Sequence, residues 1–174
     1  CVVYLRLYYS SIGGYHSLDS THIMTRDPAD LTPELYARYL KWEIYMAGAG
    51  LSFILTCVAR SEAEQTALFA QGRYPVWAVN AKRRVAGLPS IGEKDNHKVT
   101  WTVNSLHIIT SENPKARAFD FAIVKPGTRI PEWELKVDTN DKDGSDYLEA
   151  GQLWEEVGGV WGGRWDHPDS CHCQ

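Results

Sequence analysis

Three separated stretches of this chain, SLH at 105–107, ARAFD at 116–120 and DSCH at 169–172, carry two histidines and two carboxylates. Their order can build one catalytic metal site, and a fold that uses it must bring the closing segment back onto the middle of the chain. His107, Asp120 and His172 would be three ligands, with Asp169 a carboxylate three positions before the last of them. Three protein ligands leave one coordination position open for water, which separates a catalytic zinc site from a closed structural one. Two neutral imidazoles and one carboxylate leave the ion net positive, so that a bound water ionises near neutral pH. A second, unligated carboxylate takes the proton of that water and returns it to the leaving group.

The residues around these positions have the right local patterns. Arg117–Val124 alternates, with Ala118, Asp120, Ala122 and Val124 on one face of a strand and Phe119, Phe121 and Ile123 on the other. Asp120 thus sits among small side chains, with room beside it for an ion or a substrate. If 170–174 is extended, Ser170, His172 and Gln174 share a face, and Cys171 and Cys173 point the other way, into the core rather than at a metal. Asp169 falls on the turn DHPD, from which it can reach a bound water, although spacing alone leaves it equally a turn-capping residue. Arg60, at a strand-to-helix junction, is a candidate cation for a developing oxyanion, and equally a partner for a surface acid. His16, His22, His97 and His167 lack such company and read as structural or surface residues.

Composition narrows the function classes. A chain of 174 residues is most simply one domain with a real core. A net charge of −4 leaves no basic excess to displace phosphate counterions, which argues against nucleic-acid binding. No apolar stretch approaches the ~20 residues needed to span a bilayer. The four cysteines do not form a disulfide framework. Cys57, inside LSFILTCV, reads as a core thiol, and the i,i+2 separation of Cys171 and Cys173 strains the short Cα distance a disulfide requires. Residues 1–23 differ in character from the rest and read as an extension of unclear role, with the domain spanning 24–174. Arg6 interrupts what would be the apolar core of a secretion signal, and Val2–Tyr9 could add a strand.

Helix and strand signals bracket these positions. Thr32-Pro33 opens a helix with Leu35, Tyr39, Trp42 and Met46 on one face, ended by Gly48 and Gly50. Leu51–Val58 reads as a buried strand, and Ser61 with Glu64 as a capping box opening a helix that stops at Gly72. Residues 73–104 read as a long, loop-rich segment of the kind that is usually functional. Trp133–Asp138 is a further strand candidate, and Ser145 caps a last helix to about Val157. DTNDKDGSD at 138–146 looks like an acidic turn that could hold a cation, but it fails the calcium-loop spacing.

Taken in order, VARSEAEQTALFAQGR, VTWTVNSLH, PKARAFDFAIV and WGGRW…PDSCH resemble the M15 zinc peptidases. That family includes D-alanyl-D-alanine carboxypeptidases and dipeptidases and phage L-alanyl-D-glutamate endolysins, and the lysin branch is the more similar. The resemblance covers roughly residues 24–174. It implies an α+β, Hedgehog/DD-peptidase-like fold: a small antiparallel sheet carrying a zinc site, flanked by helices. It also implies Zn2+ on His107, Asp120 and His172, Asp169 as general base, Arg60 polarising the scissile carbonyl and Ser105 in the substrate cleft. The partner would be peptidoglycan stem peptides, met at the bacterial cell wall by a monomer. The expected activity is an L-Ala-D-Glu endopeptidase, with a D-Ala-D-Ala carboxypeptidase or a silent peptide-binding relative as alternatives. Two features depart from the family. The separation of His107 and Asp120, thirteen positions (107 to 120), is longer than usual, and Cys171 and Cys173 flank the last histidine. A non-haem iron oxygenase fits less well, because its first histidine and carboxylate usually lie close in sequence.

Overall fold

The computed structural model describes residues 24–142 and 144–174. The 1–23 extension, with its strand candidate Val2–Tyr9 and the histidines at 16 and 22, lies outside them. The architecture is α+β. Strand β1 (Ser52–Cys57) pairs antiparallel with the central strand β2 (Phe119–Val124). The other edge of β2 is shared by two short antiparallel strands. β3 (Pro131–Glu132) pairs with Ile123 and Val124, and β4 (His172–Cys173) pairs with Phe119 and Asp120. Every residue of β2 is buried, whereas β1, as an edge strand, is buried only at Thr56 and Cys57.

The first long helix, α1 (Pro33–Ala49), forms as its caps dictate. Thr32 Oγ1 accepts from the Leu35 amide, Pro33 occupies the first turn, and Gly50 closes the helix at φ 76°. Its buried stripe is Leu35, Tyr39, Trp42 and Met46. Trp42 is the hub of the core, with its ring centroid 4.6 Å from Phe53, 5.4 Å from Phe119, 5.2 Å from Phe121 and 6.2 Å from Trp154. Its indole N–H donates to the Ala150 carbonyl of the last helix, α4 (Asp146–Glu156), so that α1 and α4 clamp one face of the sheet. Trp161 packs so closely between Gly151 and Gly163 that a Cβ at either position would overlap its ring, and its N–H donates to the Ser170 carbonyl. The Trp-Gly-Gly segment thereby anchors the chain that leads into β4.

A second, smaller layer flanks the other end of the sheet. Helix α2 (Glu62–Ala70) starts with the complete Ser61–Glu64 capping box and packs on α3 (Val76–Val85) around Leu68, Ala86 and Leu88. α3 corrects the reading of 73–104 as loop. Its buried residues are Val79 and Arg83, one of them charged, while Trp77 and Val85 are exposed, so the apolar stripe is too narrow to show as a period. The remainder, 86–104, is indeed irregular apart from a short 3-10 turn. A second correction concerns Trp133–Asp138. Pairing occurs just before it, at Pro131–Glu132, and the chain then turns, with the Val137 amide bonded to the Glu134 carbonyl.

Described residues of the acidic segment 138–146 bond within the chain. Asp146 accepts from the Thr139 amide and hydroxyl, and Asn140 and Lys142 both donate to the Ala49 carbonyl at the end of α1. Among the described residues no helix is long and apolar enough to cross a membrane.

Gly72 ties α2 to the irregular segment. Its φ is 71°, and a Cβ there would overlap the backbone nitrogen of Lys98. Gly72→Ala is expected to cost about 2 kcal/mol, seen as a fall of roughly 4–8 °C in Tm by calorimetry; an unchanged Tm would show that the segment yields freely.

Candidate active site

The candidate residues come from four stretches. Asp120, on the central strand, has Cys57 of β1 as its cross-strand neighbour on one side and His172 of β4 on the other. His107 arrives on a chain that runs beside the end of β1, where the Arg60 amide bonds to the His107 carbonyl at 2.9 Å and the Ile109 amide to the Arg60 carbonyl at 3.1 Å. The long His107–Asp120 connection is a surface excursion. It turns at Thr110–Asn113 and returns through a bond from the Arg117 amide to the Leu106 carbonyl, leaving β2 in register. His107 is 2% exposed, Asp120 2% and His172 9%.

Three donor atoms face one another. His107 Nε2 lies 3.3 Å from His172 Nδ1 and 3.3 Å from Asp120 Oδ1, and His172 Nδ1 lies 3.0 Å from Asp120 Oδ1. In a zinc tetrahedron with ligands at about 2.0–2.1 Å, donors stand roughly 3.3 Å apart. The other ring nitrogens have their own partners, which orient each imidazole. His107 Nδ1 donates to the Val58 carbonyl at 2.8 Å, and His172 Nε2 to Gln174 Oε1 at 3.1 Å.

A second donor set overlaps the first. Cys57 Sγ, with the ligand atoms of His107 and Asp120, lies within a 4.8 Å group and could also hold an ion. The two sets differ in access. His107, Asp120 and His172 line a cleft of about 330 Å³, together with Arg60, Ser105 and Asp169, whereas Cys57 is not among its walls and is 4% exposed. The Cys57 sulfur is instead engaged by the Arg60 guanidinium at 3.2 Å. The set that includes His172 is therefore the one that presents an open side to a substrate.

Arg60 is held from several directions. Its guanidinium donates to Asp120 Oδ2 at 3.3 Å and to Gln65 Oε1 at 3.1 Å, and Gln65 in turn bonds to the Thr102 carbonyl on the cleft wall. Ser105 Oγ accepts from the His107 amide at 3.3 Å, shaping the turn that delivers the histidine. Asp169 lies at the cleft, on a turn closed by its amide bonding to the Gly162 carbonyl and its carbonyl accepting from the His172 amide. Its carboxylate takes no hydrogen bond from the described residues' side chains or amides. Cys171 and Cys173 are fully buried in the main core, away from the donors, and burial pushes both thiols up. Across the cleft mouth His167 stacks on Trp101, with ring centroids 5.5 Å apart, and Trp165 lies 5.0 Å from the His172 ring.

Sequence reasoning missed Gln65 and Gln174 as partners of site residues, and missed that Cys57 adjoins the site. For Gln174 the signal was present, in its shared face with His172. For Gln65 and Cys57 it was not, because the first depends on where Arg60 points and the second on the register of β1 against β2.

The electrostatics favour a cation at the triangle. Burial acts upward on Asp120, and His107 and His172 outweigh it, holding the carboxyl well below the usual range. Burial acts downward on His107, but the Asp120 charge overrides it and lifts the imidazolium to about 10. Burial pushes the Cys57 thiol up, yet Arg60 and His107 bring it below its ordinary value.

A small antiparallel sheet that ends in a buried cluster of two histidines and one carboxylate, open to a cleft, defines a candidate single-ion hydrolytic centre. Over residues 99–174 the chain matches the family model described as D-alanyl-D-alanine carboxypeptidase, a match that supports a peptidase of the M15 type. The match suggests a metallopeptidase. No curated protein matches the chain.

The raised folded-state pKa of His107 has a defined consequence for the metal-free protein. Its stabilising effect is complete below the unfolded value near 6.5 and is lost as pH rises towards about 10. With chelator present, the Tm of the wild type is expected to fall more steeply than that of His107→Gln between about pH 7 and pH 10. Parallel curves would contradict the assignment.

Proposed function

We propose that the protein is a zinc-dependent hydrolase of peptidoglycan stem peptides, of the endolysin type that cleaves between L-Ala and D-Glu. The observation that carries the metal reading is the triangle of His107 Nε2, His172 Nδ1 and Asp120 Oδ1, whose edges of 3.0–3.3 Å suit one small ion. These three residues would hold zinc, which supplies Lewis-acid activation of water and of the scissile carbonyl. Preference for the endopeptidase over a D-Ala-D-Ala carboxypeptidase rests on the sequence segments alone.

The chain's own residues divide the remaining work. Asp169, which lines the same cleft, takes a proton from the attacking water and delivers it to the leaving amine. Arg60 neutralises the second oxygen of Asp120 and stands on the same wall, where its charge favours the oxyanion of the tetrahedral state. Ser105 lines the cleft and supports His107. Cys171 and Cys173 are buried in the core with their thiols pushed up, which supports an ion held without them.

Digestion of purified peptidoglycan followed by mass spectrometry tests the reading. New L-Ala carboxyl ends and D-Glu amines are expected, and loss of both with chelator. Release of D-Ala instead would establish the carboxypeptidase, and no product from zinc-loaded protein would end the hydrolase proposal. Asp169→Ala is expected to keep zinc while losing about 10²- to 10⁴-fold in kcat; full activity would remove its assigned role.

A further inference from the structure

The two histidines of the triangle are oriented by different kinds of partner. The His107 ring is held by a main-chain carbonyl, that of Val58. The His172 ring is held by a side chain, through Nε2 and the Oε1 of Gln174 at 3.1 Å. We propose that Gln174 is a positioning residue for the metal: it keeps the proton of His172 on Nε2 and the lone pair of Nδ1 aimed at His107 Nε2 and Asp120 Oδ1. This rests on the metal reading above and deepens it.

Gln174 suits the task because its backbone is fixed. Its amide donates to the Val160 carbonyl at 2.9 Å, the Val160 amide donates to its carbonyl at 2.7 Å, and the Trp154 indole N–H reaches the same carbonyl at 3.3 Å. Trp154 lies in the aromatic core and Val160 adjoins Trp161, so the residue is tied to the α4 layer rather than to the cleft loops. The alternation of the segment does the rest. Cys171 and Cys173 point into the core, which puts His172 and Gln174 side by side on the cleft wall.

The other neighbours of the His172 ring are poor substitutes. Trp165 meets it ring to ring at 5.0 Å and does not hold its tautomer. Among the described residues, Gln174 Oε1 is the hydrogen-bond partner of Nε2, as Asp120 and His107 are of Nδ1. Without an acceptor at Nε2 the proton of the ring is no longer held there, and the triangle loses one preset corner. Partners of this kind are typically worth 10- to 100-fold in metal affinity.

Zinc affinity of the full chain, measured by competition with a chromophoric chelator, separates the possibilities. Gln174→Leu is expected to bind zinc roughly 10- to 100-fold more weakly, and Gln174→Glu, which keeps an acceptor at the same reach, to bind at least as tightly as wild type. Melting of the metal-free variants shows whether each is folded; should Gln174→Leu not fold, Gln174→Met, closer in length, takes its place with the same expectation. Wild-type affinity in the apolar variant, or equal weakening in Gln174→Glu, would overturn the proposal while leaving the metal site standing. Failure of the wild type itself to bind zinc would instead bring down the reading on which the proposal rests.

Discussion

The arrangement depends on one buried carboxylate. Asp120 sits near the start of a strand that is inaccessible on both faces, where an ionised group without compensation would be prohibitively costly. His107, His172 and Arg60 supply the compensation, and each is brought by a different element. That requirement links the end of β1, the 105–109 chain and β4 to the central strand. The same links gather the donor atoms of the candidate site, so the site and the sheet are held by one set of interactions.

The aromatic core provides the rigidity this needs. Trp42 joins α1 to both phenylalanines on the far face of β2 and to α4, so the strand that carries Asp120 has little freedom to shift. Trp161, between two glycines, fastens the segment that leads to His172. The cleft side is built more loosely, from the irregular segment after α3 and from the turn that carries Asp169, with Trp101 and His167 stacked across its mouth. A wall held by the core facing a wall of loops is the kind of setting in which binding sites are commonly built.

Legibility in the sequence followed the physics of each element. α1, α2 and α4 were readable because caps and spacing are local: Thr32, Ser61 and Ser145 each accept the amide hydrogen bond expected of them. The alternation around Asp120 and around His172 was readable for the same reason. α3 was not, since a helix that buries one valine and one arginine carries almost no periodic signal. Trp133–Asp138 showed a strand pattern, but strands form where an edge is free to pair, and the edge of β2 is already met by Pro131–Glu132. Of the candidate site, the residue types and their order were legible; the company of Cys57 and Gln65 was not, because the first follows from the register of β1 on β2 and the second from where Arg60 points.

The sequence by itself determined the chemistry on offer: two imidazoles, two carboxylates and a guanidinium, on local structures that turn each towards one face. It also determined that the thiols beside His172 would point away, since alternation along an extended chain is a property of the backbone. The tertiary structure decided the rest. It chose which of two overlapping donor sets faces a cleft, it coupled Arg60 to Asp120, and it placed Gln174 behind His172. Those outcomes depend on distances between elements far apart in the chain, and only packing around the Trp42 core sets them.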